Sequence, residues 1–225
     1  MTTLVKICGL STPATLDAAL NAGADMVGFV RFPRSPRHLE LERAAELSRQ
    51  AAGRVERVLL VVDPTDEELD EAIAAIRPDL VQLHGRETPE RVAAIRAHTG
   101  RPVMKAIGIA NAADLAHIDA YRGAADRLLL DAKPPAGSTL PGGNGLTFDW
   151  RILADSDIHP GDLLSGGLTP GNVAEAILVS GAAGVDVSSG VERRRGEKDS
   201  SMIAAFVRAA RAAFADASRR VRMTP

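Results

Sequence analysis

The chain has 225 residues, 45% hydrophobic and 25% charged, with a net charge of −2 and a single cysteine. That length holds one large domain or two small ones, and a near-neutral chain with 3% aromatic residues gives no electrostatic or stacking case for nucleic acid or anionic lipid. One cysteine makes no internal disulfide, and the absence of an apolar leader or a bilayer-length apolar run predicts a cytoplasmic protein with no membrane segment. The first β-rich run is LVKIC (4–8), followed by a stretch with helical spacing, TPATLDAALNAG (12–23). The pattern then repeats: DMVGFV (25–30) with LERAAELSRQAAG (41–53), VERVLLVV (55–62) with TDEELDEAIAAI (65–76), and DLVQLH (79–84) with TPERVAAIRAH (88–98). PVMKAIG (102–108), DRLLLD (126–131) and DLLS (162–165) are further strand candidates. TPGNVAEAILVSG (169–181), GVDVS (184–188) and SSMIAAFVRAARAAFADA (200–217) end the series. Several helices open with Thr-Pro or Thr-Asp, an N-cap followed by proline or an acid, and several stop at glycine, at Gly23, Gly53 and Gly181.

Eight strand runs alternating with helices imply right-handed βαβ units and a parallel sheet. Eight such units in this length predict a (β/α)8 TIM barrel, with residues 1–225 as one domain. An open doubly wound sheet is the rival, but the first βα turn reads CGLST rather than a GxGxxG fingerprint. The unit between Asp131 and Asp162 is irregular, with a long Gly/Pro-rich loop, KPPAGSTLPGGNG (133–145), and a short helix after it. That loop is a candidate lid.

Strands covered by helices should be almost wholly apolar, so polar residues at their C-terminal ends need a reason. Here those ends carry Cys8, His84, Asp131, Ser165 and Ser188, which places a candidate active face where barrel enzymes have theirs. Strand alternation sends Lys6 and Cys8, Gln82 and His84, Leu129 and Asp131, and Asp186 and Ser188 toward the barrel axis. Strands 1 and 8 become neighbours on closure, so Lys6 and Asp186 are expected to form an interior ion pair. Taken alone, a lone cysteine is most often a buried small hydrophobe, and His84 before Gly85 reads as a satisfied strand-end residue. Met26, Met104 and Met202 read as core filler, and the arginine run in GVERRRGEKD (190–199) as a solvated loop. LSGGLTPGNV (164–173) and GVDVSSGVE (184–192) follow strands 7 and 8, where such barrels often build a phosphate site from glycine-flanked backbone amides.

Seven segments in chain order resemble phosphoribosylanthranilate isomerase: VKICGL (5–10), GFVRFPRSPRHL (28–39), VQLHG (81–85), LLLDAK (128–133), GGNGLTFDW (142–150), LSGGLTPGNV and DVSSGVE. The resemblance implies an Amadori rearrangement of N-(5-phosphoribosyl)anthranilate to 1-(2-carboxyphenylamino)-1-deoxyribulose 5-phosphate in tryptophan biosynthesis, with no metal and no organic cofactor. Carried over by motif, Cys8 would be the general base and Asp131 the general acid. Arg37 would meet the anthranilate carboxylate, since a planar guanidinium grips a carboxylate at two points. Gly166, Gly167, Ser188, Ser189 and Gly190 would hold the phosphate, and His84 would contact substrate. The base must be a thiolate, which nearby Lys6 or a helix N-terminus would favour. Two rivals stand beside this reading. The histidine-pathway isomerase rearranges another aminoribose phosphate with two aspartates, one at the end of strand 1. A non-catalytic phosphosugar-binding barrel would keep the strand 7 and 8 loops and need neither Cys8 nor Asp131.

Overall fold

The structure, a computed structural model, describes residues 3–134, 137–138, 140–154, 156 and 158–223, with side chains described through residue 220. Its eight parallel strands close into a barrel in sequence order: β1 (Leu4–Cys8), β2 (Met26–Arg31), β3 (Glu56–Val61), β4 (Leu80–Leu83), β5 (Val103–Ile109), β6 (Arg127–Ala132), β7 (Leu163–Leu164) and β8 (Gly184–Val187). Closure pairs β1 with β8, setting Lys6 opposite Asp186. The intervening helices are α1 (Pro13–Ala22), α2 (Leu41–Ala51), α3 (Asp66–Ile76), α4 (Pro89–Thr99), α5 (Ala116–Arg122) and α6 (Val173–Ser180). Helix α7 (Ser200–Met223) covers the β1–β8 seam side, packing on α1 and α6. Among the described residues, no helix is long and apolar enough to cross a membrane.

The local signals in the sequence act as expected. Thr12, Thr65 and Thr88 cap α1, α3 and α4 by accepting from the amide three residues on, and Thr65 and Glu68 complete a reciprocal capping box. Gly23 and Gly181 end their helices in the left-handed conformation, whereas α2 is capped by Ala52 outside that conformation, one residue before the Gly53 stop read from the sequence. Helix α6 starts at Val173, later than the sequence pattern suggests. The Asn172 side chain takes the Thr169 amide at 2.7 Å and donates to the Gly167 carbonyl at 3.0 Å, so residues 169–172 form a side-chain-braced turn. Between β6 and β7 the described residues form only a 3-10 turn, Trp150–Leu153, consistent with the irregular unit read from the sequence. Helix α5 and a small antiparallel hairpin, β9 (Glu192–Arg194) with β10 (Glu197–Lys198), are additions to the elements read there.

Inward and outward positions alternate as predicted. Outward residues such as Val5, Ile7, Val81, Leu83, Leu128 and Leu130 join the core beneath the helices. Met26, Val58, Leu80, Met104, Leu129 and Leu163 face inward and form the barrel's apolar floor. Met26 and Met104 are therefore core filler, while Met202 is partly buried against the helical core.

Candidate active site

Above the floor the interior turns polar. Lys6 Nζ donates to Asp186 Oδ1 at 2.7 Å, and the lysine is 0% exposed, so the predicted interior ion pair is present. Ser165 Oγ donates to the other Asp186 oxygen at 3.4 Å. Burial disfavours the Lys6 ammonium, but Asp186 and Cys8 beside it outweigh burial and hold its pKa above the ordinary lysine value.

A cleft opens at the C-terminal ends of the strands. Cys8, Arg37, His84, Asp131, Gly166, Gly167, Ser188 and Ser189 all line it. Gly190 lies just behind that lining, in the 3-10 turn Ser189–Val191, packed on the Leu168 backbone. The Cys8 sulfur faces inward beside Gly28 of β2, where an added Cβ would stand 2.8 Å from Sγ. A glycine at that inward position is what leaves room for the thiol. Burial pushes the Cys8 thiol up from its ordinary value; Lys6 and Lys198 pull it down without cancelling that, and Asp186 adds to the rise.

Opposite, Asp131 is anchored by its own strand end, Oδ1 accepting from the Ala132 amide at 2.9 Å. Its Oδ2 lies 3.2 Å from His84 Nε2, and His84 Nδ1 lies 2.9 Å from Gln82 Nε2. With the Gln82 amide donating, Nδ1 is an acceptor and Nε2–H donates to Asp131. His84 thus lies at the rim against the aspartate, a closer involvement than a merely satisfied strand-end residue. Among the described residues, Gln82 Oε1 is buried without a hydrogen-bond partner.

The glycine-rich loops after β7 and β8 line the cleft. Gly166 and Gly167 have φ of 91° and 60°, which side-chain-bearing residues rarely adopt, and Gly166 abuts the Ala132 amide closely enough that a Cβ would stand 2.6 Å from it. Among the described residues the amides of Gly166 and Gly167 make no hydrogen bond. The Gly-rich segment after β6 joins the lining. Pro141, Gly142, Gly143 and Asn144 line the cleft, and a Cβ on Gly142 would come within 2.7 Å of Asp131 Oδ2. Pro135, Ala136 and Thr139 of the candidate lid lie outside the described residues.

Arg37 differs from the sequence expectation in one respect. It lines the cleft, but it already holds a carboxylate: Nε and Nη2 donate to the two oxygens of Glu192 at 2.6 and 3.0 Å. Glu192 in turn accepts from Lys198 Nζ at 2.7 Å. Burial opposes ionisation of Glu192, but Arg37 and Lys198 override it and hold the carboxyl down at about 2. Burial brings Lys198 down to about 8 despite Glu192 beside it. Glu192 and Lys198 flank the arginine run, whose members Arg193, Arg194 and Arg195 are exposed, with Arg193 and Arg194 in strand β9 rather than in a loop. The flanking acid and base escaped the sequence reading because Glu192 meets Arg37 across 155 positions of chain.

Comparison with known proteins identifies the family. The model of N-(5'-phosphoribosyl)anthranilate isomerase matches residues 5–209. The chain belongs to the N-(5'-phosphoribosyl)anthranilate isomerase family. By that membership it is an isomerase. It is 61% identical to the N-(5'-phosphoribosyl)anthranilate isomerase of Azorhizobium caulinodans, over 97% of this chain and 96% of that one. The Nitrobacter winogradskyi isomerase is 58% identical over 95% of each chain. Among solved structures, phosphoribosyl anthranilate isomerase from Thermotoga maritima aligns with a TM-score of 0.84 at 35% identity, covering 94% of this chain and all of that one. A phosphoribosyl anthranilate isomerase in complex with reduced 1-(o-carboxyphenylamino)-1-deoxyribulose 5-phosphate aligns with a TM-score of 0.81 at 33% identity over the same shares.

Proposed function

We propose that this chain, with residues 1–225 acting as one barrel domain, converts N-(5-phosphoribosyl)anthranilate to 1-(2-carboxyphenylamino)-1-deoxyribulose 5-phosphate, with Asp131 as general acid and Cys8 as general base. The observation that carries the reading is the shared cleft: an inward thiol and an inward carboxyl on β1 and β6, with glycine-rich anion loops on β7 and β8. The Asp131 O–H protonates the furanose ring oxygen as the C1–O bond breaks and the anilino nitrogen lone pair forms the C1=N bond. The Cys8 thiolate then removes the C2 proton, and the C2–H electron pair moves into C1=C2 as the iminium electrons return to nitrogen. The resulting enolamine tautomerises to the ketone. Positioned proton transfer of this kind contributes roughly 10²–10⁴-fold per group.

The protein supplies each group with support. Lys6 and Lys198 are the buried cations that favour a thiolate at Cys8. The Gln82–His84–Asp131 chain can carry a proton either way. Rotating the Gln82 amide gives its unpartnered Oε1 the Nδ1–H of His84, and Nε2 then accepts from a protonated Asp131. The phosphate lies on the backbone of Gly166 and Gly167 and of Ser188, Ser189 and Gly190, and the segment 140–146 closes over the sugar. Arg37 presents its remaining edge to the ring carboxylate. The test is a steady-state fluorescence assay with phosphoribosylanthranilate generated in place from anthranilate. Enzyme-dependent loss of the substrate signal supports the reading. Decay no faster than the uncatalysed rate, or turnover of the histidine-pathway aminoribose phosphate instead, overturns it.

A further inference from the structure

Resting on the reaction proposed above, we infer that Glu192 is a positioning residue for Arg37, fixing the guanidinium so that Nη1 faces the substrate's ring carboxylate. The contact is a two-point grip, Nε to Oε1 at 2.6 Å and Nη2 to Oε2 at 3.0 Å, which sets the plane of the guanidinium as well as its place. Both side chains are buried, at 5% and 4% exposed. The grip occupies Nε and one hydrogen of Nη2, whose other hydrogen donates to the Gly143 carbonyl at 3.4 Å, which leaves Nη1 for a ligand. The opposite edge, with Nη1, is the edge beside Gly143 of the cleft lining.

Glu192 is itself held at every point. Oε1 also accepts from Lys198 Nζ at 2.7 Å, and Oε2 also accepts from the Gly196 amide at 3.0 Å across the β9–β10 hairpin. Lys198 Nζ donates further to Ser188 O at 2.8 Å and Ser188 Oγ at 3.1 Å, and Ser188 Oγ donates to the Cys8 carbonyl at 3.2 Å. The hairpin thus ties Arg37 to the same strand ends that carry the candidate base and the phosphate loop. The charges do not balance within the cluster. Two buried cations, Arg37 and Lys198, share one buried anion, leaving one positive charge at the cleft wall. All three Lys198 donors are spent on protein, so the surplus reaches the cleft through Arg37. A pair serving stability alone would have no use for that surplus, because an uncompensated buried charge is costly. A ligand carboxylate completes it.

The test compares two substrates, phosphoribosylanthranilate and the phosphoribosylaniline that lacks the ring carboxylate. In Glu192→Gln, KM for the anthranilate substrate should rise about tenfold or more with kcat little changed, and KM for the aniline substrate should stay near that of the parent protein. Glu192→Asp keeps the charge but withdraws it by one methylene, and should give a smaller rise on the anthranilate substrate only. Equal KM rises on both substrates, or no rise in either variant, would overturn the inference. So would failure of both variants to fold, by circular dichroism and melting, since Glu192 would then be a structural prop. A parent protein inactive on phosphoribosylanthranilate would remove the reaction and the inference together, whereas an active parent with unaltered variants removes the inference alone.

Discussion

Along the same strands, inward positions two residues apart carry opposite chemistry. At the N-terminal ends, Met26, Val58, Leu80, Met104, Leu129 and Leu163 fill the barrel with side chains that are 0–1% exposed. One or two inward steps further, β4 goes from Leu80 to Gln82 and His84, β6 from Leu129 to Asp131, and β1 from Leu4 to Lys6 and Cys8. The floor excludes water and sets the strand spacing, and needs no ligand to be complete. The upper half carries ionisable groups that are costly to bury. They are kept because their partners are arranged around them: Asp186 for Lys6, Glu192 for Arg37 and Lys198, His84 for Asp131. Stability is concentrated below and chemistry above, at a separation of two to four residues along β1, β4 and β6.

That division can be broken from either side. The largest stability effect is expected at Lys6, where the two halves meet. Lys6→Met leaves Asp186 buried without its cation and should lower unfolding free energy by roughly 3–5 kcal/mol in chemical denaturation, while Lys6→Met with Asp186→Leu should recover much of it. A single variant as stable as the parent would mean the pair contributes nothing. Leu129→Ala, in the floor, should cost about 2–5 kcal/mol by opening a cavity, with KM unchanged at a temperature where the variant is folded. A raised KM there would blur the boundary between floor and site. The smallest effect is the acid response of Glu192. Its folded pKa, held at about 2, lies below its unfolded value of 4.5, so its contribution is complete above pH 4.5 and fades as pH falls toward 2. Melting curves of the parent and Glu192→Gln should therefore converge between pH 5 and 2. A constant gap across that range would contradict the linkage.

Much of this was legible in residue patterns because it depends on local periodicity. Alternation along four strands was enough to turn Cys8, His84, Asp131 and Asp186 inward, and closure of β1 on β8 was enough to bring Lys6 to Asp186. Thr12, Thr65 and Thr88 announced their helices for reasons confined to one turn of chain. What escaped depends on contacts between distant segments. Arg37 appeared in the sequence as a free guanidinium awaiting a ligand, and nothing near it marks Glu192 as its partner. Lys198 reads as one more charge in a polar run, yet it is 0% exposed at the side chain, because the hairpin folds it under the end of β8. Helix α5 has only seven residues, too few for a clear amphipathic repeat.

The central claim is that one sulfur and one carboxyl group move the protons while the surrounding loops only bind. Titration calorimetry with reduced 1-(o-carboxyphenylamino)-1-deoxyribulose 5-phosphate, paired with single-turnover kinetics on the same preparations, tests it most directly. Cys8→Ala and Asp131→Asn should each bind this compound about as tightly as the parent protein and turn over roughly 10²–10⁴-fold more slowly. Turnover at the parent rate in either variant would contradict the account.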